Sequence, residues 1–143
     1  MEVIAALRAE PERDQELAVQ CALLHDVVED TATTVEQLRA TFGPAVATGV
    51  SALSKDKLLP KGRQLEDSLR RIREQPPEVW MVKLADRIAN LQPPPSHWTP
   101  DKVAGYREEA ATIYSSLKDA SPVLAKRLAR RIAAYGVASD RAV

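Results

Sequence analysis

Aromatic side chains are scarce in this chain, at 4% of its 143 residues. A core cannot rest on stacked rings here, so Leu, Val, Ile and Ala must fill it, a mixture that favours packed helices. The single cysteine, Cys21, excludes an internal disulfide. A lone thiol in the apolar run from Val19 to Leu24 fits burial in a reducing compartment. Net charge is also missing, because 20 basic residues balance 20 acidic ones. No global field therefore draws the chain to a nucleic-acid polymer or an anionic membrane. No apolar stretch nears the roughly 18 residues that span a bilayer, and no basic segment followed by an apolar one opens the sequence. These absences predict a cytoplasmic protein without a nucleic-acid polymer or a membrane as partner; oligomeric state is not legible.

What is present is one domain's worth of chain, with 45% apolar and 28% charged residues, enough to bury a core unaided. Apolar positions recur at helical spacing and no run alternates as a half-buried strand does, so the expected fold is all-α, a bundle of about seven or eight helices. A short helix is expected over Glu2–Glu10, broken by Pro11. Asp14 can cap a second with the stripe Leu17, Cys21, Leu24, Val28. Thr33 or Thr34 caps a third, Gly43 ends it and Pro44 opens a fourth. Residues 54–63 read as a basic loop, followed by helices through Leu65–Ile72 and from Pro77 to Leu91. Pro93–Trp98 is expected to cross in an extended form. Two final helices, about Asp101–Lys118 and Pro122–Tyr135, end in a tail that should fray after Gly136.

Chemistry concentrates in two segments. His25-Asp26-Val27-Val28-Glu29-Asp30 places four ionisable groups at the end of an apolar helix, and four-residue spacing predicts Glu29 above His25 and Asp30 above Asp26. Such crowding calls for a cation, and an imidazole with carboxylates suits a divalent transition metal. In Lys83-Leu84-Ala85-Asp86-Arg87-Ile88-Ala89-Asn90, the residues Lys83, Asp86 and Asn90 share a helical face, so Asp86 can complete a ligand set with His25 and Asp26. A metal there lowers the pKa of water and polarises a phosphoryl oxygen. Glu29 and Asp30 can orient or deprotonate that water, and Lys83, Arg87 and Asn90 can contact the substrate. The plain alternative is a capped or solvated helix end, the commoner meaning of a lone His-Asp pair.

Ala22-Leu23-Leu24-His25-Asp26-Val27-Val28-Glu29-Asp30-Thr31, together with Val82-Lys83-Leu84-Ala85-Asp86-Arg87 and Asn90-Leu91, resembles the HD-superfamily alarmone hydrolases. These comprise the hydrolase domains of Rel/SpoT-type enzymes and their small stand-alone relatives. Asp56-Lys57, Leu59-Pro60-Lys61 and Tyr106 with Glu109-Ala110 and Ile113 are similar in order and spacing to the small form, so the likeness covers nearly the whole chain. It implies manganese-dependent removal of the 3′-pyrophosphate from guanosine tetra- or pentaphosphate, leaving GDP or GTP. It further implies His25, Asp26 and Asp86 as metal ligands, Glu29 and Asp30 as the pair serving the attacking water, and Asn90 and Tyr106 on the substrate side. Lys55 and Lys61, in the basic loop, are candidates for phosphate contact.

The family carries one more ligating histidine, which would fall at or before Met1, with basic residues ahead of it. The expectation is thus an HD-type domain over 1–143 lacking its extreme N-terminal helix and first histidine, with weakened metal affinity. Three further readings stay open: phosphate removal from another nucleotide such as NADPH, a nucleotide-binding module without turnover, and a structural helical domain. His97 is expected on an exposed loop, Trp80 and Trp98 as packing anchors, and Arg70, Arg71 and Arg73 on a wet helix face.

Overall fold

The structure, a computed structural model, describes residues 2–10 and 12–136. Among these, all regular structure is helical: α1 (Glu2–Ala9), α2 (Gln15–Leu24), α3 (Val27–Asp30), α4 (Val35–Phe42), α5 (Pro44–Leu53), α6 (Lys61–Arg73), α7 (Pro77–Asn90), α8 (Pro100–Leu117) and α9 (Pro122–Ala134), with a 3-10 turn at Lys118–Ala120 before α9. Setting aside the single turn of α3, eight helices of eight residues or more remain, as expected. The frayed tail falls on residues 137–143, and Pro11 is its own gap; both lie outside the described residues.

Local chemistry explains the helix starts. The Asp14 carboxylate accepts from the Leu17 amide at 3.1 Å, while the buried Glu78 carboxylate accepts from the Asp14 amide at 2.7 Å and ties α2 to α7. Thr34, rather than Thr33, forms a reciprocal capping box with Gln37 on α4. Gly43 takes φ 96°, open to glycine at no steric cost, and so ends α4 and starts α5. Prolines 44, 77, 100 and 122 sit in first turns, where a missing N–H costs nothing.

α7 is the axis. Val79, Met81, Val82, Leu84 and Ile88 are buried, and α1, α2, α5, α6, α8 and α9 all pack on it. A helix apolar on nearly every side belongs at a bundle's centre. Cys21 is fully buried against α5, as expected.

Three expectations change. The second helix does not run on through the acidic segment: α2 ends at Leu24, with His25 and Asp26 in a turn before α3. The basic loop is shorter than 54–63, because Pro60 caps α6 and Lys61, Gly62 and Arg63 are already helical. The proline-rich crossing is non-helical but not fully extended, since the Trp98 amide bonds back to the Pro95 carbonyl at 3.1 Å.

A candidate metal centre between the His-Asp turn and the central helix

The turn at His25–Asp26 matters because from it His25 reaches Asp86 on α7, while the largely exposed Asp26 meets the same imidazole. His25 Nε2 lies 3.2 Å from Asp86 Oδ1 and 3.2 Å from Asp26 Oδ2. His25 and Asp86 are 61 residues apart in sequence. His25 Nδ1 lies 2.7 Å from the Ala22 carbonyl, which can only accept, so Nδ1 carries a proton. That bond fixes the ring and leaves Nε2 turned to the carboxylates, the orientation that a second hydrogen bond confers on ligating histidines. Asn90, one turn beyond Asp86, donates from Nδ2 to the same Oδ1 at 3.3 Å.

The electrostatics agree. The Asp86 hydrogen bond, working against burial, raises the His25 imidazole to about 9. Burial works to raise the Asp86 carboxyl, but the His25 bond and the charges of His25, Lys83 and Arg87 overcome it and hold the group below the usual carboxylate range. The pair is therefore imidazolium and carboxylate at neutral pH. A proton here does what a metal ion does elsewhere: it gives two acids a positive neighbour.

By its chemistry, one imidazole and two carboxylates, the donor set suits a divalent cation. Donors about 2.1 Å from one ion and at right angles to each other stand about 3 Å apart, close to the two 3.2 Å separations. As they lie, no three His, Cys, Asp or Glu side chains among the described residues stand in a metal-holding arrangement. The imidazolium bonds the acids directly, so coordination requires the loss of its Nε2 proton and a rearrangement of the three side chains.

Glu29 and Asp30 are on α3, one turn past the histidine, half-buried and exposed respectively. Lys83 is 7% exposed; burial pushes its ammonium below the usual value, and Asp86, Arg87, Lys55 and Glu29 all act on it. Lys55 is thus part of the same neighbourhood. Lys57 donates to the Glu29 carbonyl at 3.4 Å and ties the loop to α3. Lys61 is exposed in the first turn of α6. Arg87 and Tyr106 are together but turned to each other, with the guanidinium carbon 4.3 Å from the ring centroid. His97 is exposed on its loop.

Sequence reasoning missed two supports. Ala22 acts through its carbonyl, which no side-chain pattern reveals. Arg71, expected on a wet face, instead donates to the Ser51 and Ser54 carbonyls at 2.7 and 2.8 Å and holds the end of α5 next to Lys55. Its spacing of four from Asp67, to which Nε donates at 2.9 Å, was the available signal. A cleft of about 690 Å³ is lined by Pro94, Trp98, Val103, Arg107 and Tyr135 among others; no candidate residue lines it, although Trp98 and Tyr135 pack against Tyr106. The chemistry marks the His-Asp turn, where the carboxylates and the buried lysine converge.

Known proteins share this plan. The HD domain family profile matches residues 2–123. The guanosine-3′,5′-bis(diphosphate) 3′-pyrophosphohydrolase MESH1 of Danio rerio is 33% identical over 123 residues, covering 83% of this chain and 68% of that protein. The guanosine-3′,5′-bis(diphosphate) 3′-pyrophosphohydrolase of Haemophilus influenzae is 40% identical over 121 residues, 80% of this chain but only 17% of that protein. The solved structure of a metazoan ortholog of SpoT, which hydrolyses ppGpp and plays a role in starvation responses, superposes with TM-score 0.78 at 28% identity, over 94% of this chain and 78% of that one. HD-domain hydrolases generally depend on a divalent metal. With a profile match over most of its length, and with a histidine and two aspartates meeting between two helices, this chain belongs to the HD domain family.

Proposed function

We propose that this chain is a manganese-dependent phosphohydrolase that removes the 3′-pyrophosphate of guanosine tetra- or pentaphosphate, leaving GDP or GTP, and that it works in the cytoplasm. The observation that carries the proposal is the approach of His25 Nε2 to both Asp26 and Asp86 at 3.2 Å. Its relatives' names supply the substrate.

His25, Asp26 and Asp86 would hold the ion. When bound, a divalent metal there supplies Lewis acidity toward a phosphoryl oxygen and makes water a stronger acid near neutral pH. Asn90 steadies the Asp86 carboxylate. Glu29 and Asp30 accept the proton of the attacking water as its oxygen joins phosphorus. The bond from that phosphorus to the 3′ oxygen breaks, pyrophosphate departs with the new oxygen, and the 3′ oxygen takes up a proton. Lys83, with Lys55 and Lys61, opposes the phosphate charge. Tyr106 meets the sugar or base.

Pyrophosphate release from guanosine tetraphosphate, measured with manganese and with EDTA, tests the reading. Turnover should require the metal, and Asp86→Ala should lower it by at least about a hundredfold. Equal rates in every condition remove the enzymatic reading.

A further inference from the structure

Arg87 is 6% exposed, and its Nε and Nη1 have no hydrogen-bond partner among the described protein groups. Nη2 lies 3.6 Å from Oε1 of Glu109, a side chain that is itself 47% exposed. A buried cation so loosely neutralised is a poor way to stabilise a core, where an apolar side chain of equal volume does as well or better. Its guanidinium also lies over an aromatic face, with the central carbon 4.3 Å from the Tyr106 ring centroid, well inside the cation–π range.

The ring is held from other directions too. Trp98 meets Tyr106 edge-on at 5.6 Å, and Tyr135 leans on it at 5.8 Å. Two aromatic neighbours and one guanidinium thus surround the ring. The place matters because Arg87, over the Tyr106 ring, directly follows Asp86 on α7, the carboxylate that His25 Nε2 meets at 3.2 Å.

We propose that Arg87 is a positioning residue that acts through Tyr106: its stacked guanidinium holds the phenol ring beside the His25–Asp26–Asp86 centre, where the sugar or base of a nucleotide meets it. The inference deepens the hydrolase reading and rests on it for the identity of the nucleotide. It assigns the cost of a buried, under-paired charge to substrate binding rather than to folding.

Arg87→Met keeps a flexible unbranched side chain, two atoms shorter, and removes the charged group that lies over the ring. Its thermal midpoint should equal or exceed that of the parent. With manganese and guanosine tetraphosphate, KM should rise about 3- to 30-fold while kcat stays within about twofold. Arg87→Lys, which keeps a cation over the ring, should recover part of the loss. Tyr106→Leu should raise KM similarly, and the Arg87→Met/Tyr106→Leu double variant should be no worse than Tyr106→Leu alone, because one residue works through the other. Additive losses, or an unmoved KM in Arg87→Met, overturn the proposal. If the parent protein does not turn over guanosine tetraphosphate at all, the hydrolase reading falls, and Arg87 is judged on the ring itself. The Tyr106 ring resonances should shift in Arg87→Met and return toward their original positions in Arg87→Lys; unchanged resonances overturn it.

Discussion

His25 holds a proton on Nδ1 through Ala22 and a second on Nε2 through Asp86, and only the second stands in the way of a metal. With the imidazole raised to about 9, the two roles of this residue have opposite pH dependence. In metal-free protein the folded state binds this proton more tightly than the unfolded chain does. The stabilisation is therefore complete below the unfolded value of about 6.5 and is lost as pH rises through about 9. Metal binding must expel the same proton, so apparent manganese affinity should improve by about tenfold per pH unit as pH rises toward 9. Calorimetric titrations between pH 6.5 and 8.5, with thermal unfolding in EDTA over the same range, check both signs; an affinity indifferent to pH contradicts the assignment of His25.

Among the elements, α5 shows how tightly the bundle must close to bring the turn against α7. A Cβ on Gly49 would stand 2.9 Å from Cys21 Sγ on α2 and 3.0 Å from Val79 Cγ2 on α7, so glycine permits the three helices to meet. Gly49→Ala should cost about 1–3 kcal/mol of stability, an overpacking penalty, and should show as a lower urea midpoint; an unchanged midpoint would mean that the contact relaxes freely. This closeness was not legible from periodicity, which gives the stripe Val46, Val50, Leu53 and says nothing of Gly49. The helix starts were legible, because Thr34, Gly43, Pro44 and Pro77 act on their own neighbours. The break after Leu24 was not. His25 and Asp26 both keep right-handed helical angles, so nothing in their local preferences marks the turn that aims them at α7. Lys61–Arg63 read as loop for the converse reason: charge and a glycine outweighed Pro60, a helix opener.

At the scale of the molecule, α7 joins core and site in one element: its buried residues seat every neighbouring helix, and Lys83, Asp86, Arg87 and Asn90 ride on the same rigid rod. No helix among the described residues is long and apolar enough to cross a membrane. The HD motif was visible in the sequence as residue types, and the resemblance paired His25 and Asp26 with Asp86. The 3.2 Å geometry and the stacking of Arg87 on Tyr106 depend on packing between distant helices, which no local pattern encodes. The central claim is that one divalent ion binds where the His25–Asp26 turn meets α7. Titrating manganese while following the free ion by electron paramagnetic resonance, in the parent and in Asp86→Asn, addresses it without reference to any substrate. One ion per chain is expected in the parent, with binding weakened by at least about tenfold in the variant; equal affinity and stoichiometry in the two would contradict a shared ion at this turn.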